Sequence, residues 1–312
     1  MAALEPAVTT PVLVVGESLV DIVQRADGST DRHPGGSPAN VAIGLARLGH
    51  PVRFATRFGT DADGASVRTH LEADGVVLAA GAVVDAATST ATAVLDATGA
   101  ASYVFDLVWD LPVVDVGDAG HVHTGSIAAN LAPGAARVHE LIAAARPGAT
   151  TSYDPNLRPR IIGTPDDERP GVERLVALAD VVKSSDEDLE WLYPGEPVEQ
   201  VAARWATTGP ALVVVTRGAA GASAWLAHDP GTVVSVAPRR VDVVDTVGAG
   251  DAFMAGLVSS LLDQGLLGGP SQRSALQAAT AADVGAALER ATLTSSITCG
   301  RPGADPPTRD EI

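Results

Sequence analysis

The stretch "DTVGAGDAFMAGL", residues 245–257, decides how this chain is read. Three small residues, Gly248, Ala249 and Gly250, run directly into Asp251, and an apolar helix-like segment, "AFMAGLVSSLL", begins right after it. A turn needs one glycine, and a helix cap needs only the aspartate. Backbone N–H groups at a helix start lack intrahelical partners, and the helix dipole adds partial positive charge there. Glycines let an anion come close to that backbone. Gly248, Ala249 and Gly250 are therefore a candidate anion cradle. Asp251 is a candidate base beside it, able to accept a hydroxyl proton as a phosphoryl group is transferred. The same letters alone also describe a Gly-rich turn with an Asp N-cap. No G-K-[ST] follows, so this is not a Walker A loop.

The 312 residues are enough for one large α/β domain or two smaller ones, and 46% apolar residues make the composition globular. Aromatics are only 4%, so Ala, Val and Gly must pack the core with backbones close together. The net charge of −17 argues against nucleic acid, since "NLRPR" and "APRR" are the densest basic stretches. An anionic substrate would need neutralising locally, by a metal ion or a helix N-terminus. The single cysteine, Cys299, excludes an intrachain disulfide. No apolar run reaches the ~18–20 residues of a membrane span. The start, "MAALEPAVTT", does not read as a signal peptide, so the expected location is the cytoplasm.

Outward from the opening motif, strand and helix patterns alternate. "PVLVVGESLVDIV" reads as strand, turn and strand, and "GGSPANVAIGLARLG" as a turn entering a helix closed by Gly49. "TATAVLDATGAASYVFD" reads as a β-hairpin turning at "DATGA". "GHVHTGS", "TTSYDPN" and "ALVVVTRG" read as strands, "PGAARVHELIAAARP" and "GVERLVALADVV" as helices. "ASAWLA" and "GTVVSVAP" form a further strand pair. Two long Ala-rich helices are expected over roughly 250–264 and 271–290, then a tail. This alternation predicts an α/β fold, a central mostly parallel sheet with helices on both faces. One domain over 1–312 is expected, with a small β-sheet lid from about 19–34 and 86–112. Ligands of such sheets sit at the carboxyl ends of the strands.

"DTVGAGDAFMAGL" strongly resembles the C-terminal signature of the ribokinase-like sugar kinases, the PfkB family, and "GGSPANVAIGLARLG" resembles the N-terminal one. The resemblance covers nearly the whole chain. It implies a ribokinase-like fold and an ATP-dependent carbohydrate kinase using Mg2+. Asp251 is implied as the catalytic base, with Gly248, Ala249 and Gly250 as the anion hole. Asp21 in "GESLVD" is implied to accept sugar hydroxyls, and Gly35, Gly36 and Asn40 to form the sugar-contacting turn. Asn40 can both donate and accept. Thr216, Gly218 and Gly221 in "VVVTRGAAG" match the nucleotide turn. Asp245 and the backbone of Val247 resemble a monovalent-cation site, making K+ a further candidate. In place of the family's N-x-x-E the chain has "SDED", so Asp188 stands where the metal-linked glutamate is usual, one methylene shorter. Partners implied are a small sugar and ATP, with a homodimer through the lid.

"YDPNLRPR" resembles fructokinases and 2-keto-3-deoxygluconate kinases, with Asp154, Asn156 and Arg158 at a strand end facing the cleft. The lid stretch "SYVFDLVWD" offers Tyr103 but no basic residue, and Asp106 would repel a sugar carboxylate. That favours a neutral ketohexose, fructose. 2-Keto-3-deoxygluconate or another sugar or nucleoside is the alternative, and a non-catalytic sugar-binding regulator a third. A dehydrogenase is disfavoured, because "VVGESL" lacks a dinucleotide-binding glycine pattern.

Overall fold

The computed structural model describes residues 10–96 and 101–312. Fifteen strands are present among them: β1 (Val12–Val15), β2 (Leu19–Gln24), β3 (Thr30–Gly35), β4 (Val52–Ala55), β5 (Phe58–Gly59), β6 (Val77–Leu78), β7 (Val83–Val84), β8 (Thr90–Leu95), β9 (Ala101–Asp106), β10 (His121–Gly125), β11 (Thr150–Asp154), β12 (Val181–Ser185), β13 (Leu212–Thr216), β14 (Ala222–Leu226) and β15 (Asp229–Val236). The helices are α1 (Ser37–Arg47), α2 (Ala62–Ala73), α3 (Gly134–Ala145), α4 (Pro165–Leu178), α5 (Asp186–Leu192), α6 (Val198–Trp205), α7 (Ala249–Asp263), α8 (Pro270–Gln277) and α9 (Ala281–Cys299).

Nine strands make one sheet in the order β15-β14-β13-β12-β11-β10-β1-β4-β6. It is parallel from β13 to β6, with β14 and β15 antiparallel at one edge. Alternate residues of each strand face opposite sides, so Val12, Val14 and Val214 join one core and Leu13, Val15 and Val213 the other. The first core is covered by α1, α2, α7 and α9, the second by α3, α4, α5 and α6. Small residues let the helices approach. A Cβ on Gly44 of α1 would lie 2.7 Å from Ala255 of α7, and one on Gly256 would lie 2.3 Å from Thr294 of α9.

From β1 the chain crosses to β4 on one side and later to β10 on the other. The order reverses between β1 and β10, which is where open sheets of this kind bind ligands. A second sheet, β3-β2-β8-β9, covers that place. β8 and β9 pair antiparallel, and the turn residues 97–100 of the hairpin lie outside the described residues.

Two sequence expectations are corrected. The helical reading of "GVERLVALADVV" runs too far, because α4 stops at Leu178 and Val181–Ser185 is a buried central strand. The segment read as one helix over 271–290 is two. α8 ends at Gln277, and Thr280 starts α9 with a capping box to Asp283 that carries it on to Cys299.

Candidate active site

Two helix starts converge at the reversal point. α7 begins after Gly248, which has φ 73° and caps the helix without a side-chain hydrogen bond. A Cβ there would lie 2.5 Å from the Cβ of Ala304, so only glycine fits both the backbone angle and the space. α1 begins after Gly36, with φ 111°, again with no side-chain cap. A Cβ on Gly36 would meet the Glu17 carbonyl at 2.7 Å, and one on Gly35 the Asp21 carboxylate at 2.4 Å.

Asp251, in the first turn of α7, is only 6% exposed. Its Oδ1 accepts a hydrogen bond from Ser37 Oγ at 2.7 Å and from Asn156 Nδ2 at 3.3 Å, and its Oδ2 accepts one from Asn40 Nδ2 at 2.8 Å. Asn156 also donates to Ser37 Oγ at 2.7 Å, and Arg158 donates to Asn156 Oδ1 at 2.5 Å. Asn156 holds φ 38°, a left-handed conformation that asparagine tolerates better than most residues. Three segments distant in sequence, α1, the loop after β11 and α7 itself, thus meet at one carboxylate, which accepts three hydrogen bonds.

The cleft above it measures about 740 Å³. Asp21, Gly36, Asn40, Tyr103, Asn156 and Arg158 line it together with Val247, Gly248, Gly250 and Asp251. Gly35 stands against Asp21 at its edge. Asp21 is reachable from solvent but crowded. The resulting desolvation raises its carboxyl pKa, opposed by Arg158 and His33. Glu17, 5% exposed, is pushed up to about 7, chiefly by burial, while Ser126, Arg158 and the Ala128 N–H act the other way. Its Oε2 accepts that N–H at 3.1 Å.

Thr216, Gly218 and Gly221 are not at this cleft. They form the end of β13 and a tight turn, with φ 46° at Gly218 and 89° at Gly221. Asp188, in the first turn of α5, accepts the Leu157 N–H at 2.9 Å through Oδ1, pinning the loop that carries Asn156 and Arg158. Asp245 pins the cradle loop in the same way, accepting from Val247 N at 3.0 Å and Gly303 N at 2.9 Å. These bonds hold its carboxyl pKa low. All are hard oxygen donors, which fits Mg2+ or K+ better than a soft metal.

The lid's charge is arranged differently from the sequence expectation. Tyr103 and Phe105 line the cleft, so strand alternation turns Val104 and Asp106 to the outer face. Asp106 therefore does not guard the sugar. Moreover, the Arg160 guanidinium lies 4.7 Å over the Tyr103 ring and lines the same cleft, so the lid does meet a cation. Ser37, Glu17, Arg160 and Lys183 are not among the residues expected from the sequence, and Asp154, expected to face the cleft, is instead buried beneath it against Lys183. Only Ser37's place, at the helix start in "GGSPAN", carried any signal.

Comparison with known proteins adds the decisive observation: residues 9–311 match the pfkB family carbohydrate kinases. The chain belongs to that family. The fructokinase of Klebsiella pneumoniae is 37% identical over 266 residues, 81% of this chain and 85% of that protein. The fructokinase of Salmonella typhimurium is 33% identical over 301 residues, 93% of this chain and 91% of that protein. Among solved structures, a fructokinase double mutant from Vibrio cholerae, in its fructose, ADP and potassium ion bound form, superimposes with TM-score 0.76 at 29% identity. That match covers 95% of this chain and 94% of that one. The Xylella fastidiosa fructokinase with bound ATP gives TM-score 0.81 at 26% identity, covering 97% and 94%. The fold is ribokinase-like, and the chain is a carbohydrate kinase.

Proposed function

We propose that this carbohydrate kinase transfers the γ-phosphoryl group of ATP to a hydroxyl of fructose. The observation that carries the reading is Asp251, buried at the start of α7 and fixed by Ser37, Asn40 and Asn156 at the floor of the cleft. The similarity to fructokinases supplies the sugar.

In this reading the four-stranded sheet is the lid of a single domain. Asp21, Gly35, Gly36 and Asn40 hold the sugar hydroxyls, with Tyr103, Asn156 and Arg158 lining the same cleft. Asp251 receives the proton of the attacking hydroxyl. An acceptor-only carboxylate already held by three donors needs no reorganisation to do so. Ala249 N–H closes the turn onto the Thr246 carbonyl at 3.2 Å, and the N–H groups of Gly250 and Asp251 face the charge that spreads over the transferring oxygens. Thr216, Gly218 and Gly221 take the nucleotide at the far side of the sheet end. Asp188 would hold Mg2+ directly or through water, and Asp245 with the Val247 backbone would hold K+. Bound Mg2+ would supply neutralisation of phosphate charge.

A cytoplasmic enzyme fits this reading, and among the described residues no helix is long and apolar enough to cross a membrane. Val104, 59% exposed on the outer lid face, is a natural contact for a homodimer, which sedimentation would test. Arg158 and Arg160 in the cleft favour a second substrate, the sugar acid 2-keto-3-deoxygluconate. An ATP-consumption screen over fructose, ribose, 2-keto-3-deoxygluconate, tagatose and adenosine tests both. Fructose should give the highest kcat/KM. A clear preference for the sugar acid would replace the first reading with the second.

A further inference from the structure

Beneath the cradle lies an ion pair that the reaction as described above does not use. Lys183, in the middle of β12, has a side chain only 4% exposed, and that of its partner Asp154, at the end of β11, is 1% exposed. Lys183 Nζ donates to Asp154 Oδ2 at 2.6 Å and approaches the Gly250 carbonyl at 3.4 Å. A Cβ built on Gly250 would also lie 3.4 Å from Nζ, so the ammonium sits directly against the cradle residue. Asp154 Oδ1 is buried with no hydrogen-bond partner, so the pair is incompletely satisfied.

Stability does not explain this placement. Buried ion pairs are often replaceable by apolar residues of like volume without loss. A cation is also disfavoured at a helix N-terminus, where the dipole is already positive. Both objections vanish when an anion occupies the cradle. Positive charge fixed in a dry site then stabilises the charge that develops in the transition state.

We propose that Lys183, held by Asp154, is a positioning residue for phosphoryl transfer: its ammonium fixes the first turn of α7 and sets a positive charge beneath the anion cradle. This rests on the cradle reading given above. The test compares Lys183→Met and the double variant Lys183→Met/Asp154→Leu, which removes both charges at similar volume, with the unmodified enzyme. Melting temperature, kcat and KM for fructose and ATP are measured. The double variant should melt at or above the unmodified protein and keep KM for fructose within about twofold. Its kcat should fall by about 10²-fold, the lower end of the cost of losing one pre-organised electrostatic contact. Lys183→Met should lose kcat alike, whether or not the double variant folds. Unchanged kcat in either variant overturns the proposal. So does a rise in KM for fructose parallel to the loss of kcat, which would mark a packing role. Asp251→Asn, run alongside, separates the two levels. If it keeps full turnover, the cradle reading itself fails. If it is inactive while the Lys183 variants turn over normally, only the role of Lys183 fails.

Discussion

The central sheet and the lid sheet bury very differently. In β1, β10 and β11 every residue is buried, whereas β8 is only half-buried along its whole length and β3 is largely exposed. Polar groups at and beneath the central sheet's carboxyl end are partnered: Asp251 by Ser37, Asn40 and Asn156, and Lys183 by Asp154 Oδ2. The lid is tied to the body at its base, by the Arg32–Asp63 ion pair and by Val20 and Ile22 in the core, and across the cleft by Tyr103 under Arg160. The difference assigns roles. Proton and phosphoryl chemistry needs sub-ångström placement and sits on the packed end, while the less buried strands of the lid leave it room to adjust to the sugar. Changes at the packed end should therefore act on kcat, and changes at the lid on KM.

Short of removing the base itself, the largest effect is expected at Gly248. Alanine there would strain a backbone at φ 73° and press its Cβ within 2.5 Å of Ala304. Displacing the cradle should lower kcat roughly 10- to 100-fold, because misplacement of about 1 Å costs on that order. Steady-state kinetics check it, and an unchanged kcat would break the division between the two regions.

Glu17 sharpens the comparison through pH. Its carboxyl is raised from 4.5 to about 7 by burial, so the native state keeps a proton that the unfolded chain releases. The stability this contributes is full below about pH 4.5 and is lost as pH rises through about 7. The buried imidazoles act oppositely. His121 and His123 are lowered to about 3 and His50 to about 4, so they favour the native state above pH 6.5 and cost stability as pH falls. Comparing Glu17→Gln with the unmodified protein cancels them. The variant should gain in relative melting temperature between pH 5 and pH 8, by up to roughly 3 kcal/mol in stability. A difference that does not vary with pH would mean that the Glu17 carboxyl is not perturbed.

The smallest effect belongs to the lid. Arg160→Met removes the guanidinium over Tyr103, worth ~0.5–1 kcal/mol, so KM for fructose should rise about two- to fivefold with kcat unchanged. A fall in kcat instead would place the lid within the chemistry.

Most of the architecture was legible from period and punctuation: the buried strands, the Gly-initiated helices α1 and α7, and the hairpin. β12 was obscured because the helical period of "RLVAL" runs into "ADVV" without a glycine or proline between them. The break between α8 and α9 was hidden for a related reason. "LQAATAAD" is rich in helix formers, and only the Thr280–Asp283 capping box marks the new start. Asp251 and its glycines were visible because they are contiguous. Ser37 was not, since its partner lies 214 positions away, and neither was Lys183, 67 positions from Gly250. A single lysine within an apolar strand carries no local sign of the carboxylate beside it. The position of Asp106 follows from strand alternation, which its charge alone does not show.

The central claim is that Asp251 takes the sugar proton from a fixed position without being needed to bind the sugar. Asp251→Asn keeps the shape and removes the base. Fructose binding by calorimetry and fructose-dependent ADP formation should be measured on the same preparation. The account predicts binding within about threefold of the unmodified enzyme and turnover lower by at least about 10²-fold. Turnover retained within a few-fold, or fructose binding lost together with turnover, would contradict it.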